Sequence, residues 1–350
     1  MTKMKIVIIS RTLPYLGGRE IIVDKIIRSL SERGVKILLI TPDNYKNKKI
    51  RIVKSSHNYQ YILKKILEFN PDVINCHTFY FYNLALKLSK DLNKPLITTL
   101  HGIFINIYGK SYRQLIKKII INSNQVIVVS DNFKNTLEKE FHIKNKIVCI
   151  KNGIKKPIFK DNSITHKQKI IIVPTRLHKV KGIEYAIKAM KKLDNNIYKM
   201  IISSPKGRNN FDEVLYELEL KKLSKDLNIK FEKNNQSKLF NRLKHSDVCL
   251  LPSLSEGISL SILETMSLGK IAIATKVGGN SEIIRNNING FLIPPRNCDI
   301  IAEKIIKISK MSHSRIRKIC YRAAKTIDDN FNERKMVDQY YKLFKKYYEN

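Results

Sequence analysis

Short apolar runs alternate with helical stretches along the first half of the chain. The runs at residues 5–10, 35–41 and 73–76 are rich in Ile, Val and Leu, as buried strands are. Stretches with helical spacing follow them, for example residues 19–33 and 81–91. Because this order is typical of parallel strands joined by crossover helices, the pattern predicts a doubly wound α/β sheet.

The alternation restarts in the second half, after a polar stretch at residues 155–169 that we predict to be the linker between two domains. Strands are predicted at residues 170–174 and 248–251, and the segments between them have helical spacing. We therefore predict two Rossmann-like α/β domains, residues 1–160 and 168–328, that face each other across a cleft. Ligands are expected at the carboxyl ends of the strands.

Composition narrows the class of protein. A chain of 350 residues with 43% hydrophobic residues is long enough for two packed domains. Its five cysteines stand singly with no CxxC pair, which argues against a disulfide framework or a zinc site. The sequence has no apolar run near the roughly 18 residues of a membrane span and no signal-peptide core, so we expect a cytoplasmic protein.

The formal net charge of +36 raises nucleic acid or anionic membrane as a partner. Lysines are spread along most of the chain, and 8% aromatic residues without tryptophan give little support to nucleic-acid binding. Because of the net charge alone, a basic nucleic-acid-binding protein is kept as the alternative to an enzyme.

One segment concentrates positive charge. Residues 92–130 contain no Asp or Glu, and apolar positions at helical spacing lie there beside four cations: Lys110, Arg113, Lys117 and Lys118. A basic amphipathic helix of this kind can lie on anionic lipid. It can equally pack its apolar side on its own domain and leave the cations in water.

The segment SEGISLSILETMSLGK places two carboxylates, Glu256 and Glu264, eight positions apart. Gly257 provides a turn, and Ser261 with Glu264 predicts a capping box at the start of a short helix that ends near Gly269. The N-terminus of a helix suits a phosphate, and a flanking carboxylate suits sugar hydroxyls. The alternative is that Glu264 only caps the helix and Glu256 lies on the surface.

Polar residues also follow other predicted strands. Gly17 and Gly18 follow the first strand without the GxGxxG spacing of a dinucleotide site, which disfavours a nicotinamide-dependent enzyme. His101 follows the strand at residues 95–99 and is a candidate to bond a substrate or relay a proton. A purely structural loop histidine is the alternative.

A cationic pair follows the first strand of the second half. Arg176 and Lys181 stand there, and Gly182 opens the next helix. Arginine can grip two phosphate oxygens and lysine provides a point charge, so the pair is suited to a diphosphate.

Together these motifs resemble the retaining nucleotide-sugar glycosyltransferases of family four, which have the GT-B fold. The resemblance rests on GGRE, HG after the strand at residues 95–99, NG at residues 152–153, RLHKVKG, the pair Glu256 and Glu264, VGGNSEII and NGFLIPP. These motifs run in the family's order over nearly the whole chain. The tail, residues 329–350, resembles the family's helix that crosses back to the N-terminal domain.

The resemblance implies a role for each matching position. Glu256 would contact hydroxyls of the donor sugar, Glu264 the nucleotide ribose, and Glu232 would lie near the base. Arg176 and Lys181 would hold the diphosphate, and His101 would lie near the reacting sugar. Backbone contacts to the donor would come from Gly17, Gly18, Gly257, Ile258, Ser259 and Leu260.

The resemblance implies transfer of a sugar from a UDP- or GDP-linked donor in the synthesis of cell-surface polysaccharide, lipopolysaccharide or glycolipid. No separate cofactor is expected, and no metal, because a DxD motif is absent from any suitable context. A lipid-linked acceptor would agree with a peripheral place on the cytoplasmic membrane face. Thr175, Ser259 and Ile271 depart from the family's pattern, which bears on the identity of the donor more than on activity. A nucleotide-sugar epimerase or phosphorylase on the same fold is a further alternative.

Overall fold

The computed structural model describes residues 3–11, 17–42, 45, 47–102, 105–155, 168–205 and 211–349. The chain divides into two compact units. The first comprises Met1–Gly153 and Glu333–Asn350, and the second comprises Ile154–Asn332. The polar stretch predicted as a linker lies mostly outside the described residues.

The first unit is built on one parallel sheet. Its strands are β1 (Lys5–Ile9), β2 (Lys36–Thr41), β3 (Arg51–Lys54), β4 (Val73–Cys76), β5 (Leu96–Leu100), β6 (Gln125–Val128) and β7 (Ile147–Cys149). Within the described residues the order is β3-β2-β1-β4-β5-β6-β7. The order reverses between β1 and β4, as in a Rossmann-like domain. Ile9 is level with Cys76, so the chain leaves both strands at the same edge of the sheet.

Amphipathic helices pack on this sheet. They are α1 (Gly18–Glu32), α2 (Tyr59–Phe69), α3 (Tyr82–Asp91), α4 (Ile105–Asn122), α5 (Asp131–Phe141) and the C-terminal helix α13 (Glu333–Glu349). Helix α1 buries apolar residues at helical spacing, including Ile22, Ile26 and Leu30. Two ion pairs join α1 and its C-terminal end to α13, Lys25 with Glu333 at 3.3 Å and Arg33 with Asp338 at 2.6 Å.

The second unit repeats this architecture. Its strands are β8 (Lys169–Pro174), β9 (Tyr198–Pro205), β10 (Ile229–Asn234), β11 (Val248–Leu251), β12 (Ile271–Thr275) and β13 (Phe291–Ile293). Within the described residues the parallel order is β10-β9-β8-β11-β12-β13, with the reversal between β8 and β11. The helices are α6 (Ile183–Met190), α7 (Phe211–Leu223), α8 (Gln236–Lys244), α9 (Leu260–Ser267), α10 (Asn280–Ile283), α11 (Cys298–Ser309) and α12 (His313–Asn330).

The basic segment of the first unit forms α4, as its spacing predicts. The helix is interrupted at Gly109, where φ is +69° and ψ is −153°. Ile116, Ile119 and Ile120 are fully buried in the core of their own unit. The apolar side of this helix is therefore packed on its own domain. Among the described residues, no helix is both long and apolar enough to cross a bilayer.

Candidate active site

Two cationic side chains follow strand β8 of the second unit. Arg176 lies two residues after the strand and is exposed, and Lys181 ends the short 3-10 turn Lys179–Lys181. The imidazole of His178 caps this turn by accepting the Val180 amide at 3.2 Å. Burial and the nearby charges of Arg176 and Lys181 lower the pKa of His178, so this cap is neutral near pH 7.

Gly182 lets the loop after β8, which carries Arg176 and Lys181, contact the loop after β11. Its φ is +59°, and a Cβ added to it would lie 2.3 Å from the carbonyl oxygen of Pro252. The Leu254 amide donates to the Val180 carbonyl at 2.7 Å, which joins the same two loops. Strands β8 and β11 are neighbours where the strand order reverses, and open α/β sheets bind ligands there. The two loops therefore meet at the expected ligand site.

The carboxylate of Glu256 is bonded to Lys181. The Lys181 Nζ lies 2.7 Å from Glu256 Oε1, and their side chains are only 17% and 10% exposed. The Ser253 hydroxyl donates to the same oxygen at 2.8 Å. Both described contacts reach Oε1, which leaves Oε2 as an acceptor for a ligand hydroxyl. Lysine has three N–H donors, so Lys181 can keep this bond and also bind an anion.

The turn Val277–Gly279 holds the backbone around Glu256. Gly278 has φ +51°, and a Cβ added to it would lie 1.8 Å from the carbonyl oxygen of Glu256. The Gly279 amide donates to the Gly257 carbonyl at 2.7 Å. The VGG motif therefore acts through backbone contact with the glutamate loop. In the sequence this motif contributes only to the resemblance, because the residues that it contacts, Glu256 and Gly257, lie about twenty positions earlier in the chain.

Glu264 lies inside helix α9, and Glu256 precedes it, as the spacing predicts. The predicted capping box is wrong, because the N-cap of the helix is Ser259, two residues before Ser261, and the Ser259 side chain makes no capping bond. The Ser261 hydroxyl instead donates to the Pro174 carbonyl at 3.1 Å. The predicted end is confirmed at Gly269, where φ is +62°.

The carboxylate of Glu264 is nearly buried, with the residue 8% exposed. The Gln236 side-chain amide, at the start of α8, donates to its Oε1. Lys181, Glu256 and Glu264 thus belong to one region of the second unit: the loops after β8 and β11 and the helix that follows. Residues Gly257, Ile258, Ser259 and Leu260 form the connection between the two carboxylates.

Glu232 is tied to neighbouring side chains. Arg242 binds both of its oxygens, at 2.8 and 2.7 Å, and Lys230 and Asn234 contact it at 3.0 and 3.1 Å. Burial opposes ionisation, but these contacts outweigh it and lower the pKa of Glu232. The carboxylate therefore stabilises β10 and α8, and its predicted place near a nucleotide base stays a prediction.

In the first unit, His101 pairs with a second histidine that sequence reasoning missed. His77 follows β4 as His101 follows β5, and His77 Nδ1 lies 3.0 Å from His101 Nε2. Burial lowers the pKa of His77 to about 3 and, together with His77, holds that of His101 well below its ordinary value. Both rings are neutral near pH 7. Position at a strand end was the signal that could have identified His77.

Gly17 and Gly18 start helix α1. Gly17 is the N-cap, and its carbonyl accepts the Ile21 amide at 3.1 Å. The Glu20 carboxylate fills the space beside it, 2.2 Å from where a Gly17 Cβ would be. The preceding residues 12–16 lie outside the described residues, so the predicted contact of this loop with a diphosphate stays a prediction. Among the described residues, no cluster of three or more His, Cys, Asp or Glu is placed to hold a metal.

Family models define the class of protein. The model for glycosyl transferases group 1 matches residues 154–326, and the model for glycosyltransferase family 4 matches residues 16–156. The two matches meet where the structure divides, between Gly153 and Ile154. The chain belongs to the group 1, family 4 glycosyltransferases, as its motifs indicate.

Whole-chain relatives are also glycosyltransferases. An uncharacterized glycosyltransferase of Methanocaldococcus jannaschii, MJ1178, is 27% identical over 96% of this chain and 97% of its own. The N-acetyl-alpha-D-glucosaminyl L-malate synthase of Bacillus anthracis is 25% identical over 97% of both chains.

Solved structures show the same fold. A glycosyltransferase from Rickettsia africae has a TM-score of 0.83 at 22% identity and covers 100% of both chains. Anabaena HepE, solved in complex with UDP-glucose, has a TM-score of 0.84 at 18% identity and covers 98% of this chain and 100% of its own. The predicted fold class, two Rossmann-like domains of the GT-B type, is confirmed.

Proposed function

We propose that this glycosyltransferase transfers a sugar from a nucleotide diphosphate donor with retention of anomeric configuration and without a bound metal. The observation that carries the proposal is the Lys181–Glu256 pair, which lies where the loops after β8 and β11 meet. Glu256 Oε2 would accept a sugar hydroxyl. Lys181, Arg176 and the first amides of α9 would stabilise the negative charge of the departing diphosphate.

Named relatives support the substrate classes. HepE binds UDP-glucose, which favours a UDP-linked donor for this chain over a GDP-linked one. Two other similar proteins are named for glycan synthesis, WcaL of Escherichia coli for colanic acid biosynthesis and WaaB as a lipopolysaccharide outer core galactosyltransferase. These names support our proposal that the acceptor belongs to cell-surface polysaccharides, lipopolysaccharides or glycolipids.

Two single substitutions test this assignment. A thermal-shift panel of nucleotide sugars identifies the donor, and nucleotide release with and without candidate acceptors gives turnover. Lys181→Ala and Glu256→Ala are each expected to lower turnover at least about 100-fold, because each removes charge aimed at the reacting centre. Anomeric retention is read from the product by NMR.

Lys179→Ala is the matched control. It removes a lysine of the same 3-10 turn whose partner is the exposed Glu219 at 3.4 Å. This variant should keep wild-type turnover. Near wild-type turnover in both Lys181→Ala and Glu256→Ala would contradict the assignment. A product formed from the donor alone would instead indicate an epimerase, and a sugar phosphate formed from the donor and inorganic phosphate would indicate a phosphorylase.

We further propose that α4 holds the enzyme to anionic lipid, near a lipid-linked acceptor. Lys110, Arg113, Lys117 and Lys118 are all exposed, and Arg113 is bonded to Glu140 at 2.6 Å. The first three line a surface hollow of about 330 Å³. Because the apolar side of α4 is buried in its own unit, attraction would be electrostatic and would not need insertion.

Flotation with anionic and neutral liposomes tests the membrane proposal. Changing the four cations to Gln should abolish binding to anionic vesicles. The control is a second quadruple variant, in which four exposed lysines of the second unit are changed to Gln: Lys222, Lys225, Lys244 and Lys307. This variant should keep most of the binding to anionic vesicles. No binding at moderate salt, or equal losses in the two quadruple variants, would refute the proposal.

A further inference from the structure

The His77–His101 pair has a feature that the proposed transfer reaction leaves unexplained. Of the pair's four ring nitrogens, the inner two lie 3.0 Å apart. The outer two, His77 Nε2 and His101 Nδ1, are shielded from water, and none of the described residues bonds to either. Buried polar atoms in proteins are nearly always bonded, so each outer nitrogen is open to a partner beyond the described residues, such as a ligand or a water molecule.

In such a pair, the position of the proton on one ring determines its position on the other. Each neutral imidazole carries one N–H, and a bond between two rings needs one donor and one acceptor. If His77 Nδ1 carries the proton, His101 accepts at Nε2 and must carry its own proton on Nδ1. If His101 Nε2 carries the proton, its Nδ1 is an acceptor. The tautomer of His77 therefore sets whether His101 presents a donor or an acceptor at Nδ1.

The fold holds the His77 ring in place, with its Nδ1 3.0 Å from His101 Nε2. Its residue is 1% exposed, its backbone amide donates to the Ile9 carbonyl at 2.9 Å, and its ring lies 6.2 Å from that of Tyr340. Strand β1 and helix α13 thus fix both the backbone and the ring. His101 follows β5, and among the described residues its ring nitrogen Nε2 is bonded to Nδ1 of this fixed ring.

We propose that His77 is a positioning residue that fixes the tautomer and orientation of His101. The inference deepens the proposed function, on which its catalytic readout rests. His101 acts through a neutral ring, and His77 keeps that ring in the state that the bound sugar or its acceptor requires. The effect is expected on kcat more than on the KM of the donor, because the orientation of one group near the reacting centre changes.

Two substitutions of His77 separate hydrogen bonding from packing. His77→Phe fills the space but leaves His101 Nε2 without its partner. His77→Asn carries an amide group at the position of Nδ1 and can restore that bond. Tyr340→Leu is the control, because it loosens the packing on His77 without removing the contact between the two histidines.

The tautomers are read by long-range ¹H–¹⁵N correlation spectra of protein labelled in histidine. We expect one tautomer for each ring of the pair in the wild type and in Tyr340→Leu, and exchange between tautomers for His101 in His77→Phe. The kcat of His77→Phe should fall about 10-fold or more, and His77→Asn should recover most of that loss.

An unchanged His101 tautomer in His77→Phe would overturn the inference, and so would equal losses of kcat in the Phe and Asn variants. The spectra require no substrate. If the wild type transferred no sugar from any donor, the proposed function would fail while the spectra alone would still decide the pairing.

Discussion

Gly278→Ala tests the contact that positions Glu256. The added Cβ would lie 1.8 Å from the Glu256 carbonyl oxygen, whereas real Cβ contacts essentially never fall below 3.0 Å. The two backbones must therefore separate by about 1.2 Å, the difference between these distances. This shift would stretch the 2.7 Å bond from Gly279 to Gly257 and displace the carboxylate from Lys181.

The size of the effect follows from that displacement. A positive φ at Ala costs about 1 kcal/mol of stability and relief of the clash about 1–3 kcal/mol more, which together leave a domain of typical stability folded. Misplacing a reacting group by about 1 Å can lower turnover roughly 100-fold. We therefore expect Gly278→Ala to be folded, with turnover reduced by about two orders of magnitude.

Gly34→Ala is the matched control for backbone strain. Gly34 also has a positive φ, +85°, but its nearest heavy atom to an added Cβ is Lys3 Cε at 3.9 Å. Chemical denaturation should show a larger loss of unfolding free energy in Gly278→Ala, because the clash adds to the strain that both variants share, and a nucleotide-release assay should show a large loss of turnover only in Gly278→Ala. Equal turnover in the two variants would refute the role assigned to Gly278.

Two further predictions concern the hydrogen bond from Ser253 and the pKa of His77. Removing the Ser253 hydroxyl with Ser253→Ala should lower kcat/KM about 10-fold, because a hydrogen bond to the Glu256 carboxylate is lost; unchanged kcat/KM would contradict this role. The pKa of His77 is about 3 in the folded state and about 6.5 when unfolded, so the unfolded state binds more protons as pH falls through that window. The unfolding free energy should therefore fall by about 2 kcal/mol from His77 alone between pH 7 and pH 5. Denaturation at both values should show a smaller loss in His77→Asn, and an equal loss would exclude this effect.

Much of the fold follows from the hydrophobic pattern. Strand β11 covers the predicted residues 248–251, because a parallel strand buried on both faces is a continuous apolar run. Strand β3 was not predicted, since it lies at the sheet edge, and only Val53 of its four residues is buried. Helix α5 was also missed, because Phe133 and Leu137 are its only buried residues.

The candidate site was predicted less completely than the fold. Lys181 and Glu256 could be proposed because the ends of parallel strands meet at one edge of a sheet. Their bond, and the bond from Gln236 to Glu264, join segments 75 and 28 residues apart, so no local pattern specifies them. The capping box failed for the related reason that Ser261 bonds to a distant carbonyl and not to its own helix.

The large positive charge and the candidate site act at different distances. The chain carries 66 basic and 30 acidic residues, yet the Lys181–Glu256 pair is formally neutral. Exposed charges are screened over roughly 8 Å at physiological ionic strength, so the excess of lysines can attract anions only near the surface. The bond between Lys181 and Glu256 is short and little exposed, and salt screens such a bond much less. Under the proposed function, net charge would therefore bear on encounter with anionic donors and membranes, while the paired glutamates and Lys181 would determine which ligand is bound.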